Sequence, residues 1–211
     1  MDLKNNLYEL EAAPYKERLF SCLYSVIADD SRKPIQIVEL GIGGFPNASY
    51  YREWKNVQVI GIEPDLEKHS MAISNANLFG LSLCMHVGFG EDLPLCSNSI
   101  DAVVSTHTLC SVQDVKKTLV EVRRILKRKG VFAFMEHVLS ETNKSLATKQ
   151  QNATPTELCC WGCRFDRRIL KDLEASNFSS VLGVLEHDSC YVDIATTSEL
   201  MSPSIIGLAR R

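Results

Sequence analysis

The sequence predicts an α/β protein, a doubly wound and mostly parallel sheet, and three observations carry that expectation. A β-branched run ending in Glu39-Leu40 leads into Gly41-Ile42-Gly43-Gly44, closely spaced glycines that let the backbone turn sharply and approach a ligand. A second run, Val57 to Ile62, ends in Glu63-Pro64-Asp65, and an acid at the carboxyl end of such a strand is placed to take both hydroxyls of a ribose. Beyond them, apolar runs and amphipathic stretches alternate in the order an open sheet requires.

Residues 1–34 mix Leu7, Leu10, Leu19, Phe20, Leu23, Val26 and Ile27 with acids, lysines and Pro14, which predicts an amphipathic helix over one sheet face. The segment falls far short of the ~18 continuous apolar residues of a spanning helix, and no secretory apolar core is visible. No transmembrane anchor is expected, and the expected location is cytoplasmic, with an organelle after presequence removal as the alternative. Ile35 to Leu40 reads as the first, buried strand. Asp65 to Gly80 reads as a helix with Asp65 as N-cap and Gly80 as its stop. Leu81 to Phe89 is the third strand, Gly90 to Pro94 a loop, and Ile100 to Ser105 the fourth strand, followed by the loop Thr106 to Ser111. Val115 to Lys127 carries Val115, Leu119, Val122, Ile125 and Leu126 at helical spacing, with a basic last turn that suits the helix dipole. Gly130 stops it, and Val131 to Met135 is a fifth strand running into Glu136-His137. Residues 140–156, rich in Thr, Asn, Lys and Gln, read as a loop or lid.

Length fits one domain: an N-terminal helical segment (1–34), a cofactor-binding core (35–140), and substrate-side and closing strands (141–211). A net charge of -3 gives no basic footprint, so nucleic acid is not an expected partner, and the basic run Arg123 to Lys129 reads as a solvated helix end. With no export signal, the eight cysteines read as reduced thiols. Cys160 and Cys163 form C-x-x-C, and His187 with Cys190 forms H-x-x-C, together a conceivable four-ligand zinc set. A helix and a strand would have to bring the pairs together, so no metal is expected.

Nicotinamide and flavin enzymes use a similar strand, turn and acid, with the fingerprint G-x-G-x-x-G. Here Pro46 fills the third glycine position. Glu39, two residues before Gly41, would repel phosphate but suits a cationic ligand. S-adenosylmethionine carries a sulfonium and an ammonium and no phosphate, which fits that charge pattern.

Order and motifs together resemble the class I S-adenosylmethionine-dependent methyltransferases over roughly residues 35–140. Gly90-Glu91-Asp92-Leu93-Pro94, Ser99 to Val104, Leu109-Cys110-Ser111-Val112, Glu121 to Leu126 and Phe134-Met135-Glu136-His137-Val138 narrow the resemblance to the methyltransferase-like seven group, small-molecule enzymes that include thiol S-methyltransferases. Trp161-Gly162-Cys163-Arg164, the following Leu170, Leu173 and Phe178, and the closing Ile205 to Ala209 extend it over most of the chain. The resemblance implies a Rossmann-like class I methyltransferase fold with a mostly parallel seven-stranded sheet and an antiparallel last strand. It implies methyl transfer from S-adenosylmethionine to a small-molecule acceptor, possibly a thiol. By the same resemblance Gly41, Gly43 and Gly44 contact the methionine moiety, Glu63 the ribose with Pro64 beside it, Gly90 and Glu91 the adenine edge, and Thr106 lies near the methyl, with Glu39 beneath the loop. His107 and His137, both at strand ends, are the candidate bases for a thiol acceptor, and Glu136 is a candidate to orient His137.

Three departures matter. Phe45 stands where the family has a glycine, so it either crowds the methionine end or swings away; in the first case the chain is a cofactor-binding pseudo-enzyme or partner subunit. Arg128-Lys129-Gly130 replaces a Pro-Gly-Gly turn. Trp161 replaces an acid close to the substrate entry, which bears on the acceptor. Oligomeric state is not legible.

Overall fold

The computed structural model describes the backbone of residues 3–28, 33–185, 187, 189–194 and 198–211, and the side chains within these ranges except at 3–6 and 154–161. The elements run α1 (Leu3–Ile27), β1 (Ile35–Leu40), β2 (Val57–Ile62), α2 (Leu66–Leu78), β3 (Ser82–His86), β4 (Ile100–Thr106), α3 (Val115–Ile125), β5 (Leu126–His137), α4 (Lys144–Trp161), α5 (Ile169–Glu174), β6 (Ser180–Gly183), β7 (Tyr191–Asp193) and β8 (Pro203–Arg210). The sheet order is β3-β2-β1-β4-β5-β8-β6, with β7 also on β8. Strands β1 to β5 pair in parallel, and β8 is antiparallel to β5, β6 and β7. β6 takes the carboxyl half of β8 and β7 its amino half, so eight strands fill seven positions. This is the expected Rossmann-like class I arrangement with its antiparallel closing strand.

β1 and β4 are buried on both faces, which is why they read as nearly unbroken apolar runs. One face is covered by α3 and α5 through Leu119, Val122, Ile169 and Leu173. On the other, α1 lays Ala12, Leu19, Phe20 and Leu23 toward β5, β8 and the 3₁₀ turn Pro46–Tyr51, as its apolar spacing predicts. Phe20 stacks on Tyr50 and meets Tyr51 edge-on at 5.0 Å between ring centres. Lys16, only 1 % exposed, is paired with Glu9 at 2.7 Å.

Asp65 caps α2 by accepting from the Glu67 N–H, and Gly80 follows the helix at φ +65°, the left-handed position that favours glycine. Three predicted elements change. α3 ends at Ile125 and not Lys127, because Leu126 turns extended (φ -59°, ψ 139°) and pairs with Ile100, so β5 begins well before Val131 and the Ile100/Ala102 register shifts across the turn. β3 stops at His86, and Val87 and Phe89 leave the sheet with their side chains exposed. The stretch read as a loop or lid is helical from Lys144. Asn143 Oδ1 accepts the Leu146 N–H at its start, and buried Gln150 ties it down, accepting from Ser140 N and donating to Val138 O and Leu200 O. Its polar composition hid it, since Gln150 and the Lys149–Glu199 pair at 2.7 Å fasten its described part by polar contacts. No described helix is long and apolar enough to cross a membrane.

Candidate active site

The predicted ligand positions lie at or just beyond the carboxyl ends of β1 to β5, the edge where open parallel sheets bind ligands. Gly41 and Gly43 lie at φ +57° and +55°, and a Cβ on Gly41 would meet the Thr108 side chain at 2.5 Å. Thr108 Oγ1 in turn donates to Leu40 O, locking the β4 loop over the glycine turn. At Gly43 a Cβ would meet nothing nearer than 4.0 Å, so this side of the loop is open.

Phe45 also lies in the left-handed region (φ 62°, ψ 55°), and its ring is fully buried against Tyr51. Left-handed backbone is the conformation that favours glycine, the residue expected at this position, and the phenylalanine adopts it while turning its ring into the core. It does not close the cradle. A Phe45→Gly variant exchanges a buried ring worth ~3–5 kcal/mol for relief of ~1 kcal/mol of backbone strain, so it is expected to lose ~2–4 kcal/mol. Urea unfolding checks this, with the melting shift given by S-adenosylmethionine expected to survive.

Glu63, 5 % exposed, accepts from Gly43 N at 2.9 Å and from Asp65 N at 3.1 Å, which fixes the acid beside the glycine turn. Pro64 is exposed next to it. Glu39 lies beneath the loop, accepting from Tyr51 Oη at 2.7 Å and from Asn47 Nδ2 at 3.1 Å. Burial pushes its carboxyl up to about 7, against the pull of those hydrogen bonds and of the Lys16 charge. Asn47 Nδ2 donates as well to Thr106 Oγ1, while Asn47 Oδ1 is buried with no hydrogen-bond partner among the described residues. A buried carboxylate with no ion pair of its own, beside an unpaired amide oxygen, suits a cation. The residues present therefore fit S-adenosylmethionine.

In the loop after β3, Gly90 is buried and a Cβ there would meet Thr118 at 2.8 Å. The Glu91 carboxylate is turned away, accepting from Gln113 N and Asp114 N at the start of α3. Phe89, 58 % exposed, leaves a large apolar surface at this edge.

His107 and His137 come together, their rings stacked at 4.3 Å. His107 sits at φ 56° with its Nε2 2.6 Å from Tyr8 Oη. Its enclosed position, then the neighbouring His137 and the Lys16 charge, hold it well below the usual histidine range, so it is neutral at pH 7. His137 Nδ1 faces Cys163 Sγ at 3.4 Å and Cys110 Sγ at 3.9 Å, and its Nε2 is buried without a partner. Glu136 does not orient His137: it accepts from Ser105 Oγ at 2.5 Å and from Thr108 N and Cys110 N at 3.2 Å, so it braces the β4 loop instead.

Tyr8, Asn47, Tyr51 and the Cys110–Cys163 pair are the site residues that sequence reasoning missed. Tyr8 carries no local signal at all. Of the conceivable zinc set, the Cys160 side chain lies outside the described residues, and Cys163 groups with Cys110 and His137 and not with His187 or Cys190.

A methyltransferase-domain family profile matches residues 38–134. Human thiol S-methyltransferase TMT1A is 31 % identical over 205 residues, covering 96 % of this chain and 81 % of that protein. Human thiol S-methyltransferase TMT1B is 33 % identical over 172 residues, covering 79 % of this chain and 68 % of that protein. Among solved structures, the [4+2]-cyclase SpnF superposes with a TM-score of 0.68 at 18 % identity, covering 92 % of this chain and 80 % of that one, a likeness of fold alone. The glycine turn, the acid held to it and the cation-suited floor thus belong to a chain whose relatives transfer methyl groups, and this chain is a member of the class I S-adenosylmethionine-dependent methyltransferases, in the family of the thiol S-methyltransferases TMT1A and TMT1B.

Proposed function

We propose that this methyltransferase acts on a small thiol-bearing acceptor, and the observation that carries the proposal is the alignment with thiol S-methyltransferase TMT1A along 96 % of the chain. Bound S-adenosylmethionine supplies an activated methyl group whose transfer in line to a nucleophile releases a neutral thioether. Gly41, Gly43 and Gly44 cradle the methionine end, and Glu63 takes the ribose hydroxyls with Pro64 closing beside it. The backbone of Gly90 and Glu91 meets the adenine edge. Glu39, through Asn47 and Thr106, presents a negative floor to the cationic end.

A thiol of pKa ~8.5 is only a few per cent ionised at neutral pH, so a proton acceptor helps. His107, unprotonated at pH 7 although its lowered pKa makes it a weaker base than a free imidazole, and hydrogen-bonded to Tyr8, is assigned to receive the thiol proton. His137 positions it through the ring stack. Alignment of thiol and methyl by the surrounding walls supplies the larger share of the barrier reduction, ~7 kcal/mol or more. The likeness to a cyclase is a reason to test acceptor chemistry directly, since one fold hosts several reactions.

The test is a set of melting curves with S-adenosylmethionine and S-adenosylhomocysteine, followed by methyl transfer to a mixed thiol and phenol panel. At ~100 times the dissociation constant a ligand stabilises by ~2.7 kcal/mol, a shift of roughly 5–11 °C at this size. Wild type is expected to shift, Glu63→Ala to lose the shift, and His107→Ala to keep it while methylating thiols roughly 10²-fold more slowly. Absence of a shift in wild type would sink the cofactor site. A shift with phenol but no thiol methylated would sink the acceptor class.

A further inference from the structure

Behind the histidine pair, three side chains from distant parts of the chain converge: Cys110 from the loop after β4, His137 from the end of β5, and Cys163 just beyond α4. Cys110 Sγ, His137 Nδ1 and Cys163 Sγ all lie within 4.8 Å of one another, and the residues are 1 %, 3 % and 5 % exposed. We propose that they form a three-ligand site for a zinc-type divalent ion, with the fourth coordination position left to a water or an incoming thiol.

Distances favour coordination. A tetrahedral ion with metal–sulfur bonds of ~2.3 Å and metal–nitrogen bonds of ~2.0 Å places a sulfur and a nitrogen about 3.6 Å apart. His137 Nδ1 is 3.4 Å from one sulfur and 3.9 Å from the other, close to that spacing without an ion having been imposed on it. Hydrogen bonding alone serves the cluster poorly. The ring offers one nitrogen to two thiols, and among the described residues its other nitrogen, Nε2, is buried without a partner, so within them the sulfur-facing edge is the polar contact that orients it.

The frame around the three is rigid. Cys110 N donates to Glu136, Arg164 N donates to Cys110 O at 2.8 Å, and the Arg167 guanidinium donates to Leu109 O and Val112 O. The hydrogen-bonding contact with Cys163, then burial, push the Cys110 thiol up from its ordinary value. Binding then replaces two S–H bonds by two metal–thiolate bonds and releases two protons, so that two thiolates balance the dication and the imidazole stays neutral. Two thiolates and an imidazole are soft to borderline donors, which selects zinc over magnesium or calcium.

Cobalt(II) is the probe, added to protein freed of metal by a chelator and kept reduced by a phosphine. One equivalent per chain is expected to give the near-ultraviolet thiolate-to-cobalt band and intense tetrahedral visible bands, with two protons released in weak buffer and the bands bleached by zinc. Cys110→Ser and Cys163→Ser should each cut the thiolate band to about half, and the double variant should abolish it, with far-ultraviolet dichroism showing that each variant is folded. Exchanging Cys22, Cys84 and Cys96 for serine should leave the bands unchanged. Absence of the bands at micromolar cobalt, or bands that persist in the double variant, would overturn the proposal. The readout requires no turnover, so it stands or falls apart from the acceptor assignment.

Discussion

A Glu39→Gln variant is expected to be more stable than wild type above pH 7 and yet to bind S-adenosylmethionine more weakly. Burial raises the Glu39 carboxyl from an ordinary 4.5 to about 7. The folded state therefore holds this proton over a range in which the unfolded chain has lost it, and stability from this group is fully present below about pH 4.5. It declines as pH rises toward 7 and is flat beyond. Each pH unit over that interval is worth about 1.4 kcal/mol, so the buried charge costs up to ~3 kcal/mol at pH 8. Glutamine removes that cost, keeps an acceptor for Tyr51 Oη, and offers an N–H to the Asn47 amide, whose unpaired Oδ1 can turn to accept it. Urea unfolding of both proteins from pH 5 to 8 should show the variant gaining on wild type across the interval. Parallel curves would mean that Glu39 ionises in the folded protein as it does in the unfolded chain, with no burial penalty on its charge. Cofactor affinity should move the other way, about tenfold or more weaker, because the cation loses its buried counter-charge. In wild type, binding below pH 7 should release protons, which titration calorimetry in two buffers of different ionisation enthalpy measures.

The opposition between stability and binding at Glu39 helps explain which parts of the site were legible in sequence. Residues whose role is set by their own backbone position could be read directly: the glycines at a strand end, Glu63 after β2, and Asp65 capping α2. Phe45 was legible as a departure but not in its consequence, because only the fold shows that φ 62° sends its ring into the core beside Tyr51. Partners recruited across the topology left no local trace. Tyr8 reaches His107 across 99 residues of sequence, and Cys163 joins His137 from beyond α4. The errors in the elements have a similar cause. Leu126 has helical spacing with Leu119 and Val122, yet its pairing with Ile100 draws it into β5. In α4 no apolar stripe announces the helix, since Gln150 fastens it by hydrogen bonds to three backbone groups.

Loss of the Glu136 carboxylate should be the most damaging single change at this site. It is fully buried, and burial raises its pKa despite the hydrogen bonds it accepts. Those bonds hold Ser105, Thr108 and Cys110, the loop that carries His107 and presses Thr108 onto Gly41. Glu136→Ala leaves the Ser105 hydroxyl and two backbone N–H groups without an acceptor in a closed space. At ~1–3 kcal/mol for each unsatisfied buried donor, offset in part by removal of a buried acid, the expected loss is ~3 kcal/mol or more. Glu136→Gln is the informative comparison. Its remaining oxygen can still accept from Ser105 and Thr108, its N–H₂ faces only the Cys110 N–H unfavourably, and no charge has to be buried, so it should stay within ~1 kcal/mol of wild type. Urea unfolding orders the three proteins, and amide exchange across residues 105–110 should be faster in the alanine variant alone. Equal stability of the alanine variant and wild type would show that the loop is held by its packing, and the carboxylate would then lose its assigned role in bracing the β4 loop.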